Sequence, residues 1–444
     1  MPLFPAPLPR ALLVQALLAF ASGVPAEPAP DPEAAPQLPE VLTQKKALEI
    51  FRQRGFDLLV AEASIKSAEG DLTIARSVAN PGVSLGVGKN FDCAPPQDCS
   101  ALSYSVGISD SDVLSGWVSG KYELRKTVAA RALEAARRSR DDAQRTLEFQ
   151  LKQAYTAALE AQALLKNAVE TRDSDLSTQR LNRRRFALGA INEGDLAKIE
   201  VAELEAEQAL SQAEQNLRTA KVGVAFLLGF RTLVPDFQMD ERESEFTVPA
   251  ALSQATRESL LKQGLARRPD LRALFEQEKR SEAGLALARR SRIPDFGLSA
   301  TYAANGSGNT NISPPNLSIG LSFDLPIFNF ERGEIEKAEA DFTTQRLLRE
   351  KAEATVVSDV ETAWAQFVAA RQLVERMQST LLSRAQNARD IARVQYEKGA
   401  ASLLDFLDAQ RTYTATRAEY AQDLAAYWNA VALLEEAVGQ DLRS

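Results

Sequence analysis

Residues 121–188 and 334–398 of this chain contain neither proline nor glycine. These stretches are 68 and 65 residues long and rich in Ala, Leu, Glu, Arg and Gln, all good helix formers. At about 1.5 Å rise per residue, each predicts a helix on the order of 100 Å long. Ordinary globular helices are far shorter, so the chain must form a coiled coil, a repeat or a long helical tube. The prolines are pushed elsewhere: ten of the 20 lie within residues 2–39, and none follows Pro326.

The two stretches belong to a tandem repeat. Asp57-Leu58 corresponds to Asp270-Leu271, 213 residues on. Ala75-Arg76, Pro81 and Gly120 meet Ala288-Arg289, Pro294 and Gly333 at the same offset. Further along, Phe186 to Gly189 matches Tyr396 to Gly399, and Asp195 matches Asp405, both at 210. A length of 444 residues suggests three domains at about 150 residues each. The repeat replaces that estimate with one pseudo-symmetric architecture. The first repeat (41–228) reads as a helix, a β-hairpin at 82–110, a long helix at 116–188 and a return helix at 194–228. The second (255–438) has its hairpin at 295–325, long helix at 330–398 and return helix at 402–438. An inter-repeat segment (229–254) joins them, and a tail (439–444) follows.

Each hairpin shows period-2 alternation. Val83, Leu85 and Val87, then Leu102, Tyr104, Val106 and Ile108, alternate with Ser and Gly. Phe296, Leu298, Ala300 and Tyr302, then Leu317, Ile319, Leu321 and Phe323, do the same. Such strands, of about nine to eleven residues, are the length of a transmembrane β-strand with one lipid face. Four strands cannot close a barrel, and an open edge cannot sit in lipid. Several chains must therefore share one barrel. About eight strands are filled by their own side chains, so a conduit favours three or more copies.

Composition narrows the chemistry. There is no histidine, which removes Ser-His and Cys-His nucleophile pairs and the commonest transition-metal ligand. The formal charge of −8 offers no basic surplus for nucleic acid. Arg10, the apolar run 11–20 and the small residues up to Ala26 read as a secretory signal (1–26), before a flexible Pro-rich lead-in (27–40). Its removal leaves a chain of about −9. Cys93 and Cys99 lie in the first hairpin loop, where an exported protein would pair them as a local disulfide. No segment after the leader has the 18 apolar residues of a membrane-spanning helix.

Taken together, these features resemble the TolC family of outer-membrane efflux proteins. The motifs are Ala266-Arg-Arg-Pro-Asp-Leu271, Ser291-Arg-Ile-Pro-Asp-Phe296, Leu325-Pro-Ile-Phe-Asn-Phe-Glu-Arg-Gly333 and Tyr396-Glu-Lys-Gly-Ala-Ala-Ser-Leu-Leu-Asp405. The resemblance covers nearly all of the mature sequence. It implies a mainly α-helical fold with a small β part: a homotrimeric twelve-stranded outer-membrane barrel continued by a long periplasmic helical barrel. It also implies a periplasmic membrane-fusion adaptor and an inner-membrane pump as partners. Residues 326–338 look most like the cobalt–zinc–cadmium efflux branch. The resemblance further implies a passive duct that needs no cofactor, and without His or a suitable Cys pair the sequence offers no evident metal-selecting site of its own.

The candidate working residues cluster at the glycine turns. Asp405 and Asp408 lie three apart, on one helix face just after Gly399. Three copies would ring a tube end with carboxylates, a selective cation path. The competing reading is a pair of exposed acids favoured by the helix dipole. The resemblance places such aspartates at a periplasmic gate, with Tyr396 and Asp195 in the bonding network that holds it closed. Family members with a basic latch residue carry it two after the glycine, where this chain has Ala401; the latch is thus expected to lack its cation. Asp195 also reads as a helix N-cap after Gly194. Leu188, Gly189, Ala190, Gly399 and Ala400 form the hairpin tips, which the resemblance assigns to adaptor contact. Arg183–Arg185 reads as a solvated charged face or a contact for an acidic partner, and Tyr155 and Trp364 as packing residues between helices.

These readings converge on a non-enzymatic channel subunit of the outer membrane. The alternatives are a type I secretion or drug-efflux channel, or a soluble periplasmic coiled-coil adaptor.

Overall fold

The computed structural model describes residues 38–89, 102–110, 113–231, 233–305 and 315–443. The expected signal peptide and the Cys93–Cys99 pair lie outside the described residues. The first half runs β1 (Val41–Leu42), α1 (Gln44–Arg54), α2 (Phe56–Arg76), β2 (Gly82–Lys89), β3 (Leu102–Ser109), α3 (Val113–Val118), α4 (Lys121–Ala187) and α5 (Glu193–Leu227). The second half runs β4 (Gln238–Met239), α6 (Ala250–Ser253), α7 (Arg257–Arg267), α8 (Pro269–Arg290), β5 (Phe296–Asn305), β6 (Asn316–Phe323), α9 (Arg332–Arg376), α10 (Leu382–Glu397) and α11 (Leu403–Val438). A 3₁₀ turn (Glu241–Ser244) follows β4, and a π-helical turn (Met377–Leu381) joins α9 to α10.

Several elements depart from expectation. The single opening helix of each half is two helices, broken at Gly55 and at Arg268. The break at Arg268 has a visible cause: Pro269 cannot bond backward and starts a new helix. Arg268 is itself buried and clamps Asp270 and Asp359, both at 2.6 Å. Each return helix ends in a left-handed glycine set against one of these breaks. A Cβ at Gly229 would lie 2.4 Å from the Arg54 carbonyl oxygen, and Gly439 abuts the Arg268 backbone. The first long helix begins at Lys121 rather than 116, because Gly120 (φ 74°) separates it from α3. The second begins at Arg332, behind Glu331 in the left-handed region (φ 55°), and is interrupted by the π turn. In the tail, Leu442 is buried in the core and the Arg443 guanidinium lies 4.6 Å from the Trp428 ring.

Each half has its own apolar core near the middle of its long helix. Leu151, Tyr155 and Ala158 of α4 pack with Phe51, Val224, Leu228 and Phe237. Val356, Val360, Ala363 and Phe367 of α9 pack with Tyr427, Val431 and Leu434. Tyr155 is buried as expected of a packing residue. Its hydroxyl donates to Leu42 O (2.8 Å) and to Glu243 Oε2 (2.5 Å), tying the inter-repeat segment to α4. Trp364 is partly buried against the second core.

The four long strands form one antiparallel sheet in the order β2-β3-β5-β6. They are eight to ten residues long, slightly shorter than expected. Register places every alternating apolar residue on one face: Leu85 faces Val106, Val106 faces Tyr302, and Tyr302 faces Leu317. That face is exposed along all four strands. The other face is Ser, Gly, Thr, Ala and Asn. There glycine faces serine at Gly82–Ser109, Ser84–Gly107, Gly86–Ser105, Gly88–Ser103, Gly297–Ser322 and Ser299–Gly320. Among the described residues, β2 and β6 have no strand on their outer edges, and no helix is long and apolar enough to cross a membrane.

Candidate functional site: the paired hairpin tips

α4 and α5 form one helical hairpin, and α10 and α11 form the second. Both tips are closed the same way. Gly189 and Gly399 adopt φ 71° and 77°, so the chain reverses without a Cβ clash. The Ala190 N–H then donates back to Arg185 O (2.8 Å), and the Ala400 N–H to Gln395 O (2.7 Å). Leu188, Gly189, Ala190, Gly399 and Ala400 are all exposed, Leu188 at 84%.

The return helices start with matching caps 210 residues apart. Asn192 Oδ1 accepts from the Asp195 N–H (2.8 Å), and Ser402 Oγ accepts from the Asp405 N–H (3.2 Å). The cap of α5 is thus Asn192, and Asp195 is the third helical residue rather than the cap. Its carboxylate accepts from Asn192 Nδ2 (3.0 Å) and pairs with Lys198 (3.3 Å). The Asp405 carboxylate reaches back to the Ser402 N–H (3.2 Å) and hydroxyl (2.7 Å), completing a capping box. These bonds, the hydroxyl's first, hold the Asp405 carboxyl below the usual range. Asp408 is exposed one turn further along α11.

Tyr396 is buried and joins the two hairpins. Its ring stacks flat on Phe406, with centroids 5.5 Å apart. Its hydroxyl donates to Oδ1 of the fully buried Asn182 on α4. The partner is therefore this amide, and Asp195 is held within its own hairpin. Ile199, Leu403, Phe406 and Leu407 complete the small apolar cluster around the ring.

The cation beside Tyr396 belongs to the other hairpin. The Arg185 guanidinium sits 4.9 Å from the Tyr396 ring centroid. It donates to Glu397 O (2.9 Å) and Tyr396 O (3.4 Å), which cap the C-terminal end of α10. Arg183 pairs with Glu200 at 3.2 Å. Replacing Arg185 by methionine is expected to cost about 1–2 kcal/mol locally. Amide exchange at Gly399 and Ala400 should then quicken roughly tenfold, as read by hydrogen-exchange mass spectrometry.

Above the tip, the face of α4 turned toward α5 and α11 is polar. Asn167, Asp175, Thr178, Gln179 and Asn182 are all buried. Asn167 Nδ2 donates to Thr414 O (3.1 Å), Thr171 and Thr414 share a hydroxyl contact (3.2 Å), and Gln179 bonds Glu203. Burial pushes the Asp175 carboxyl up to about 6; Arg411 opposes this, while Glu203 and Glu205 add to it. This seam escaped the sequence reading. Its signal was the spacing of Asn167, Asp175 and Asn182 on one face of an otherwise Ala- and Leu-rich helix. Among the described residues, no group of three or more His, Cys, Asp or Glu side chains could hold a metal ion.

An exposed apolar sheet face, set on two long helical hairpins, defines an outer-membrane channel component. The chain belongs to the outer membrane efflux protein family, whose sequence profile matches residues 47–230 and 260–440. This is a family of efflux proteins, not of enzymes, and it places the sheet in the outer membrane and the long helices in the periplasm. The chain is 25% identical over 401 residues to the cobalt-zinc-cadmium resistance protein CzcC of Cupriavidus metallidurans, covering 90% of each. It is 26% identical over 399 residues to the pyoverdine export outer membrane protein OpmQ of Pseudomonas aeruginosa, covering 86% of this chain and 81% of that one. Its fold matches the CusC structure with a TM-score of 0.73 at 17% identity, covering 92% of this chain and all of that one. It also matches the Campylobacter jejuni CmeC outer membrane channel with a TM-score of 0.74 at 18% identity, covering 90% and 86%.

Proposed function

We propose that three copies of this chain close a twelve-stranded barrel and form a passive duct for heavy-metal cations. An inner-membrane pump supplies the energy, and a periplasmic membrane-fusion adaptor docks at the hairpin tips. The observation that carries this reading is the sheet, with one apolar exposed face, one face of small, mostly polar residues and, among the described residues, two free edges. Closing those edges between copies satisfies every strand in lipid. Similarity to a cobalt-zinc-cadmium resistance protein supports the cargo. Similarity to OpmQ supports a second reading, export of an organic small molecule. Native mass spectrometry in detergent is expected to give a trimer, and planar bilayers a steady conductance. A monomer that stays soluble without detergent overturns the channel assembly. Restoring metal tolerance, rather than drug or siderophore export, to cells lacking their own duct separates the two cargoes.

Asp405 and Asp408 form the acidic ring of the periplasmic mouth in this assembly, with Tyr396 bracing the two hairpins behind it and Asp195 fixing the first turn of α5 beside it. The double change Asp405→Asn, Asp408→Asn removes six carboxylates per trimer. Cation-over-anion permeability and block by divalent cations are both expected to fall. If both stay at wild-type values, the ring is not the filter.

A further inference from the structure

The segment leaving β6 is ordered yet uncovered. The Ile327 N–H donates to Leu325 O (2.8 Å), and the Glu331 N–H to Asn329 Oδ1 (3.1 Å), so the backbone forms defined turns. Glu331 closes the segment in the left-handed region, which a non-glycine residue rarely adopts (φ 55°). The result of this geometry is to hold apolar side chains outward. Phe328 is 98% exposed, and Leu325, Ile327 and Phe330 are each more than half exposed. A second uncovered apolar site lies where the chain enters the opposite edge strand. Ile74, at the end of α2, and Val78, before β2, are 71% and 52% exposed.

Strand direction relates the two sites. Neighbouring strands in β2-β3-β5-β6 are antiparallel throughout, so β2 and β6 run in opposite directions. If the alternation continues from β6 of one copy to β2 of the next, the end of β6 meets the start of β2. Residues 325–330 of one copy then lie beside residues 74–78 of its neighbour, on the helical side of the membrane. Within one chain the two segments follow and precede opposite edges of the sheet.

We infer that residues 325–330 are a contact between copies of this chain, seating Phe328 against Ile74 and Val78 of the next copy beneath the barrel seam. The inference rests on the trimeric barrel proposed above. It commits to a second copy rather than lipid because the facing segment carries exposed Ile74 and Val78 beside the polar Arg76 and Ser77, a mixed surface suited to protein rather than to hydrocarbon.

The test uses full-length protein in detergent, with Cys93→Ser and Cys99→Ser as background. Phe328→Cys is combined with Val78→Cys and treated with a short bismaleimide. Covalent dimers and trimers are expected on a denaturing gel, and neither single cysteine variant should give them. Phe323→Cys with Val83→Cys reports on the strand seam itself. Linkage at the strand seam but not at Phe328 overturns the contact and leaves the barrel standing. Linkage at neither site removes the barrel and the contact together. Phe328→Trp fluorescence gives an independent readout. Strong quenching by brominated phospholipid in reconstituted vesicles assigns the segment to lipid and also overturns the inference. Phe328→Ser is expected to lower the temperature at which the trimer dissociates, and Phe328→Leu to restore it.

Discussion

Replacing Lys152 by methionine is expected to destabilise the protein by about 3–5 kcal/mol. Lys152 lies on α4 and Glu435 on α11, so their 2.7 Å ion pair joins the two halves of the repeat. Both residues are buried, Glu435 at 4% exposure. The second Glu435 oxygen accepts from the buried Leu442 N–H at 3.0 Å. Removing the lysine takes away the 2.7 Å partner of a buried carboxylate, and the loss of that pairing is the source of the cost. The double change Lys152→Met, Glu435→Gln removes both charges and keeps an acceptor for Leu442. It should recover most of the loss. Thermal melts followed by circular dichroism in detergent read both variants. Additive losses in the double variant would show that the pair is not what holds this site.

Asp175→Asn is expected to act in the opposite direction. Burial raises the Asp175 carboxyl from 3.8 to about 6, so the folded protein disfavours its charged form. The charged groups acting on it are Glu203 and Glu205 of α5 and Arg411 of α11. Below pH 3.8 the group is protonated whether the chain is folded or not, and it carries no penalty. Between 3.8 and 6 the penalty grows as pH rises. Above 6 it is complete, at about 3 kcal/mol. The asparagine variant should therefore match wild type near pH 4 and be more stable at pH 7. A variant less stable than wild type at pH 7 would show that attraction to Arg411 outweighs burial.

The long helices and the repeat were legible because their signals are local. Missing Pro and Gly, a constant offset and period-2 alternation need no knowledge of which surfaces meet. The tip turns followed for the same reason, since Gly189 and Gly399 mark left-handed positions. Asp195 shows the limit of a local rule. It was read as a cap after Gly194, but Asn192, three residues earlier, provides the cap. Arg185 was legible only as a charge, because its contact with Tyr396 exists once α4 lies beside α10. The π turn at Met377–Leu381 has no mark in the sequence, being made of residues that an α-helix accepts equally well. Asp175 was passed over because burial of a helix face depends on its neighbours, and the acid alone does not announce it.

The facing glycines and serines of the sheet set a limit on how this duct can change. A Cβ at Gly82, Gly86, Gly88 or Gly107 would lie 2.5–2.7 Å from the opposing serine Oγ. The small-residue face of the sheet is therefore packed close to its backbone, and in the proposed barrel that face would draw the bore. A different cargo cannot be accommodated by adding bulk at those glycines without displacing the hydroxyls opposite. New charge or volume enters more readily at the Ser, Thr, Ala and Asn positions of that face, or further down, where the helices have side chains to exchange.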